Sequence, residues 1–121
     1  MNRKILGVIP LLFLLGCASQ KYTWNGYDDS LYAYYKDPAN KERFIEKLKA
    51  AVLKAEQTGK VPPGLYAEYG YMLYENRSYT EALVYFKKEH DLWPEAQFFM
   101  AKMITNTESL MAKQQTKEVA Q

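Results

Sequence analysis

The strongest constraint on the fold is a pair of apolar runs that face each other across a three-residue turn. Tyr66, Tyr69, Gly70 and Leu73 make the first run and Tyr79, Ala82, Leu83 and Phe86 the second, with Asn76-Arg77-Ser78 between them. Steps of three and four residues keep side chains on one side of a helix, whereas a strand would alternate at two. Helices joined by so short a turn lie antiparallel, apolar side to apolar side. A glycine inside a helix costs about 1 kcal/mol against alanine, so Gly70 needs a packing reason. With Ala82 on the facing run, that reason is a close approach of two backbones, which only small residues permit.

From Pro63 to Ala96 the length and spacing resemble a tetratricopeptide repeat: Tyr66, Tyr69, Gly70 and Leu73 take its large, large, small and large positions, and Tyr79, Ala82, Leu83, Phe86 and Pro94 complete the pattern. The resemblance implies an all-α, right-handed stack of helical hairpins. It also implies that Ala67, Tyr71 and Tyr74 share the inner, ligand-facing stripe of the first helix, which serves either as a partner-binding patch or as a surface buried against the flanking helix. Glu89 stands where the motif wants a second small residue, which predicts a looser or differently angled junction with the next helix. One hairpin cannot bury both of its faces, and such arrays usually need about three repeats. The flanking helices must therefore cap it.

Glycine and proline divide those flanks. A short segment, Asp29 to Lys36, ends where Asp37-Pro38 supplies a cap and a first-turn proline, and Asp28-Asp29 is expected to cap its start. Pro38 to Thr58 then carries Phe44, Ile45, Leu48, Ala51, Val52 and Ala55 on one face and stops at Gly59. Pro62-Pro63-Gly64 opens the third helix, and Ser78 with Glu81 has capping-box spacing for the fourth, the Ser78 hydroxyl accepting from the Glu81 amide. After Pro94 a fifth helix runs from Glu95 to Met111 through Phe98, Phe99, Met103 and Ile104 as the terminal cap. Residues 27–112 thus form one helical domain, and 113–121 a flexible, polar tail.

Before this domain stands a different kind of segment. Asn2, Arg3 and Lys4 precede an uncharged apolar run from Ile5 to Leu15, too short for a membrane span of about 20 residues but matched to a signal-peptide core. Leu14-Leu15-Gly16-Cys17 follows and resembles the bacterial lipobox, in which a small residue admits the peptidase and the Cys17 thiolate takes up a diacylglycerol. The expected arrangement is a signal peptide at 1–16, cleavage before Cys17, and a lipidated tether at 17–26. Ala18 and Ser19, with no Asp directly after the Cys, imply by resemblance to proteobacterial lipoproteins an outer-membrane anchor, its domain facing the periplasm rather than the cell exterior. Tyr22, Trp24 and Tyr27, close to the anchor, suit the membrane surface, where amphipathic rings are favoured.

The charge balance follows from the same cleavage. The chain has sixteen basic and fourteen acidic residues, and removing Arg3 and Lys4 leaves fourteen of each. A neutral chain without a basic run has no means of displacing counterions from phosphates, so nucleic acid is excluded as a partner. One Cys and one His exclude an internal disulfide and a structural zinc site, and no metal or cofactor is expected. No nucleophile with a base and no paired carboxylates stand out, so a non-enzymatic role is expected. His90 reads as a helix-end residue, and Glu42, Glu46, Glu68 and Glu75, spaced among Lys and Arg, read as solvated faces.

The eleven tyrosines exceed what the repeat asks for, and tyrosine is enriched at protein interfaces. Leu31 to Pro38, Lys60 to Gly70, Glu81 to Glu89 and Trp93 to Met100 resemble a family of small proteobacterial lipoproteins without assigned function. That resemblance implies a set of co-encoded envelope lipoproteins that includes a CsgG-like one. The expected role is an adaptor that docks another envelope protein. A lipoprotein that binds peptidoglycan or regulates its synthases, with tyrosines stacked on sugar rings, is the alternative.

Overall fold

The computed structural model describes residues 19–119. The signal segment 1–16 and Cys17 lie outside the described residues.

Among the described residues five helices follow in chain order: α1 (Tyr27–Lys36), α2 (Lys41–Thr58), α3 (Leu65–Glu75), α4 (Tyr79–Leu92) and α5 (Gln97–Val119). Short 3-10 turns at Pro38–Asn40 and Pro94–Ala96 lead into α2 and α5. Each helix packs on its predecessor, giving the expected all-α hairpin stack, and no strand occurs among the described residues. Local chemistry accounts for the boundaries. Asp37 accepts the Ala39 amide at 3.2 Å with Pro38 in the first turn, and the Asn40 side chain donates to Asp37 at 2.6 Å. At the far end of α2 Gly59 takes φ +67°, which lets the amides of Gly59 and Lys60 return to the carbonyls of Glu56 and Ala55.

The core is one cluster spanning four helices: Phe44, Leu48, Ala51, Val52 and Ala55 of α2; Leu65, Tyr66, Tyr69, Met72 and Leu73 of α3; Ala82 and Phe86 of α4; Met100 of α5. Leu83 is buried as well. Gly70 shows why the hairpin closes tightly, since a Cβ there would lie 2.9 Å from two ring atoms of Phe86 and 3.3 Å from the Ala82 carbonyl oxygen. The absent side chain thus makes room for an aromatic ring as well as for the facing backbone. Pro94 is exposed, so it shapes the α4–α5 turn instead of filling the core.

Several local expectations are corrected. Ser78 holds the N-cap position of α4 without a side-chain cap bond. Arg77 adopts φ +62° and the Ser78 amide closes onto the Leu73 carbonyl at 2.9 Å, so the turn's own backbone bond sets the serine's direction. Glu81 faces Tyr69 and takes no part in a capping box. α1 begins at Tyr27 behind Gly26, which leaves Asp28 and Asp29 inside the first turn, where they favour the helix dipole without capping it. α5 continues to Val119 instead of ending near Met111, because residues 112–119 contain no glycine or proline and are mostly good helix formers. The described part of the segment read as a tether is docked on the domain: the Thr23 amide donates to the Lys60 carbonyl at 2.8 Å, its hydroxyl meets that of Thr58 at 2.7 Å, and the Lys60 ammonium donates to the Gln20 carbonyl at 3.2 Å.

Candidate functional site

α3 carries the expected inner stripe, and the fold divides it. Tyr71 is 44% exposed, stacks against Tyr74 with ring centres 6.3 Å apart, and donates its hydroxyl to Glu75 at 2.9 Å. That hydrogen bond, with the adjacent carboxylate charge, pushes the Tyr71 pKa up. Glu75 is also paired with Lys41 at 3.3 Å, tying the end of α3 to the start of α2. Tyr74 is half-buried, packing edge-on to Tyr79 at 5.7 Å and tilted on Phe86 at 6.5 Å. Ala67 is half-buried too. Only Tyr71 of the three offers a largely free ring.

Glu89, expected to leave a looser or differently angled junction with the next helix, turns back into its own hairpin and braces it. Glu89 is 2% exposed, and its carboxylate accepts the Gly64 amide at 2.6 Å and the Ala67 amide at 3.4 Å. These are the orphan donors at the start of α3, where a negative charge also meets the favourable end of the helix dipole. Gly64 sits at φ +86°, a conformation that aims its amide into the hairpin at no side-chain cost. Burial pushes the Glu89 pKa above the ordinary carboxylate range, partly offset by the backbone bonds it accepts. A small residue would have left those amides without this partner.

Around the outer rim of the α2–α4 layer, Glu56 accepts from the Tyr66 hydroxyl at 3.0 Å and from the Lys88 ammonium at 2.7 Å. Lys88 lies over the rings of Tyr66 and Tyr85 at 5.4 and 5.1 Å. Burial, then the bond to Glu56, raise the Tyr66 pKa far above its ordinary value. Burial and the facing Glu81 push Tyr69 up to about 12. These phenols stay protonated and serve as donors and packing surface. His90, half-buried in the last turn of α4, meets Asp91 at 2.9 Å, a pairing with its sequence neighbour only.

Two aromatic surfaces were not legible as such. Tyr27, Trp24, Tyr22 and Trp93 form a continuous chain of ring contacts, 5.9, 6.4 and 5.9 Å apart, that ties the N-terminal segment to the end of α4. Beside it, Trp24, Leu31, Tyr32 and Tyr35 with Gln20 line a groove of about 870 Å³ along α1, and Tyr35 is 82% exposed. The signal was present in the spacing: 28, 31, 32 and 35 make one helical stripe, flanked by Tyr27, which lines the groove on one side and with Tyr34 packs on the core. At the other end of the stack, Phe98 and Phe99 are 76% and 61% exposed, whereas α5 packs inward through Met100, Met103, Ile104 and Thr107. Phe98 and Phe99, read with Met103 and Ile104 as part of the terminal cap, do not share its packed face, because Met100, Met103, Ile104 and Thr107 make the stripe that meets the stack and both rings lie off it.

Among the described residues no three His, Cys, Asp or Glu side chains converge as metal ligands would, and no helix is long and apolar enough to cross a membrane. Residues 21–103 match the family model described as a domain of unknown function, DUF4810. No curated protein and no solved structure matches the chain.

Proposed function

We propose, on the premise that this chain belongs to the DUF4810 family, that it is a non-enzymatic envelope lipoprotein, fixed to the outer membrane through Cys17, whose helical stack docks another envelope protein. The observation that carries the adaptor role is the pair Phe98 and Phe99, two neighbouring phenylalanines held in solvent on a terminal helix. Single exposed apolar residues are ordinary, but adjacent large aromatics on a rigid helix are the composition of an interface anchor. α5 is the last layer of the stack, packed on α4, so its outer side is open to a partner. Tyr71, braced by Glu75, offers a second and more polar contact. The Leu14-Leu15-Gly16-Cys17 motif supports the lipid anchor. The partner suggested by the family resemblance is a co-encoded lipoprotein of the CsgG-like kind.

Crosslinking in intact cells, followed by co-purification and mass spectrometry, tests the reading. Capture of envelope proteins by the wild type, lost in Phe98→Ser plus Phe99→Ser, is the expected result. Retention of the same partners by that variant, or binding to purified sacculi with no protein captured, would overturn it.

A further inference from the structure

We infer that the outward face of α1, together with Trp24, rests on the bilayer surface, so that the domain lies against the membrane in one orientation; the inference rests on the reading of Cys17 as the lipidated residue. Three observations carry it. First, the chain is pinned close to the anchor: the Gln20 carbonyl is held by Lys60, the Thr23 amide and hydroxyl by Lys60 and Thr58, and Tyr22 packs edge-on to Trp93. Cys17 precedes Gln20 by three residues, which span at most about 11 Å fully extended. The Cys17 backbone therefore lies within that distance of Gln20, and the acyl chains carried on its sulfur enter the bilayer close to it. Second, Gln20 itself lines the groove formed by Trp24, Leu31, Tyr32 and Tyr35, so whatever surface holds the anchor lies beside this face.

Third, the face has the chemistry of an interfacial contact. Leu31, Tyr32 and Tyr35 occupy one stripe of α1 and are exposed, while Tyr27 at the groove's edge and Tyr34 pack on the core and hold the helix in place. Tyr and Trp rings with a polar tip are favoured at the headgroup level, and lysines beside them keep their stems on apolar surface and their charge in water. Lys36 lies 4.7 Å over the Tyr32 ring and Lys21 5.2 Å over that of Tyr22. The groove's own charged lining is Asp28 and Asp29, with the lysines at its margin, so the face suits a zwitterionic surface better than a strongly anionic one.

The test uses the full-length, natively lipidated protein carrying Trp93→Phe, which leaves Trp24 as the single tryptophan; the Trp93 indole N–H has no hydrogen-bond partner among the described residues, so phenylalanine loses no bond there. The protein is reconstituted into phosphatidylcholine vesicles with or without brominated acyl chains, and flotation and Trp24 emission are read on the same sample. The expected result is flotation with Trp24 emission quenched about twofold by the brominated lipid, as for an interfacial ring. Leu31→Glu plus Tyr35→Glu should relieve the quenching without changing flotation. A protein that floats with Trp24 unquenched, whether standing off the membrane or covered by a second copy, overturns the inference and leaves the anchor intact. A protein that does not float removes the anchor and the inference together.

Discussion

The carboxylate of Glu89 accepts the backbone amide of Gly64 at 2.6 Å, so the second helix of the central hairpin caps the first across twenty-five residues of chain. This bond joins tertiary packing to local helix chemistry. The four amides that open a helix have no partner within it, and here two of them, those of Gly64 and Ala67, are met by a side chain from the element packed alongside. Replacing Glu89 by alanine should therefore lower stability by about 1–3 kcal/mol, the cost of leaving part-buried amides unpaired. Glu89→Gln keeps an acceptor oxygen and should lose less. Urea unfolding of the two variants beside the wild type checks the order.

The same group gives a pH dependence with a definite sign. Because burial raises its pKa in the folded protein, the folded state holds the Glu89 proton more tightly than the unfolded chain does. The stability contributed by this group is complete below the ordinary glutamate range and is lost as the pH rises through the raised value. The wild type should thus gain stability relative to Glu89→Gln as the solution is acidified across that window. Unfolding free energies of both proteins at a series of pH values would show it; a constant difference would refute it.

Gly70→Ala should destabilise despite alanine's better helix propensity. The new Cβ would meet the Phe86 ring at 2.9 Å, and Phe86 is buried with no free side to turn to. Overpacking of this kind costs about 1–3 kcal/mol, set against a gain of about 1 kcal/mol from removing a helical glycine. The net loss should appear as a lowered melting temperature with an unchanged helical circular dichroism spectrum.

Tyr71 and Tyr74, three residues apart, should behave differently. Tyr74→Ala removes a ring packed on Phe86 and Tyr79 and should cost about 1–3 kcal/mol. Tyr71→Ala loses one exposed hydrogen bond to Glu75 and should stay within about 0.5 kcal/mol of the wild type. Chemical denaturation separates the two, and only the Tyr71 variant is then a clean probe of partner capture.

Phe98→Ser plus Phe99→Ser should leave the melting temperature unchanged within about 2 °C, because both rings are largely in solvent and α5 is held by Met100, Met103 and Ile104. Reduced self-association or partner capture at unaltered stability would place the role of these rings outside the fold. A marked loss of stability would show that they pack on the protein's own surface.

Much of the fold was legible because it is written in local chemistry. The three-and-four spacing of Phe44 to Ala55 and of Tyr66 to Phe86, the Asp37-Pro38 start, the Gly59 stop and the Gly64 entry each act within a few residues, and the helices form where those signals stand. The side chains that matter for binding were less legible. Tyr71 and Tyr74 share a stripe by spacing, yet Phe86 and Tyr79 draw one inward and leave the other free. Phe98 and Phe99 resemble core residues in any composition-based reading, and Glu89 resembles a flaw in the repeat.

Sequence alone determined that this chain would be a run of helices around a close-packed central hairpin, because periodicity and chain-breaking residues act over one or two turns of backbone. Only the tertiary structure decided which way α5 turns its aromatic rings, that residues 20–23 are pinned to the α2–α3 loop, and that Glu89 serves the far end of its hairpin. Those outcomes depend on how one rigid helix is rotated and seated against another. That is settled by the fit of side chains distant in sequence, and no short window of residues records it.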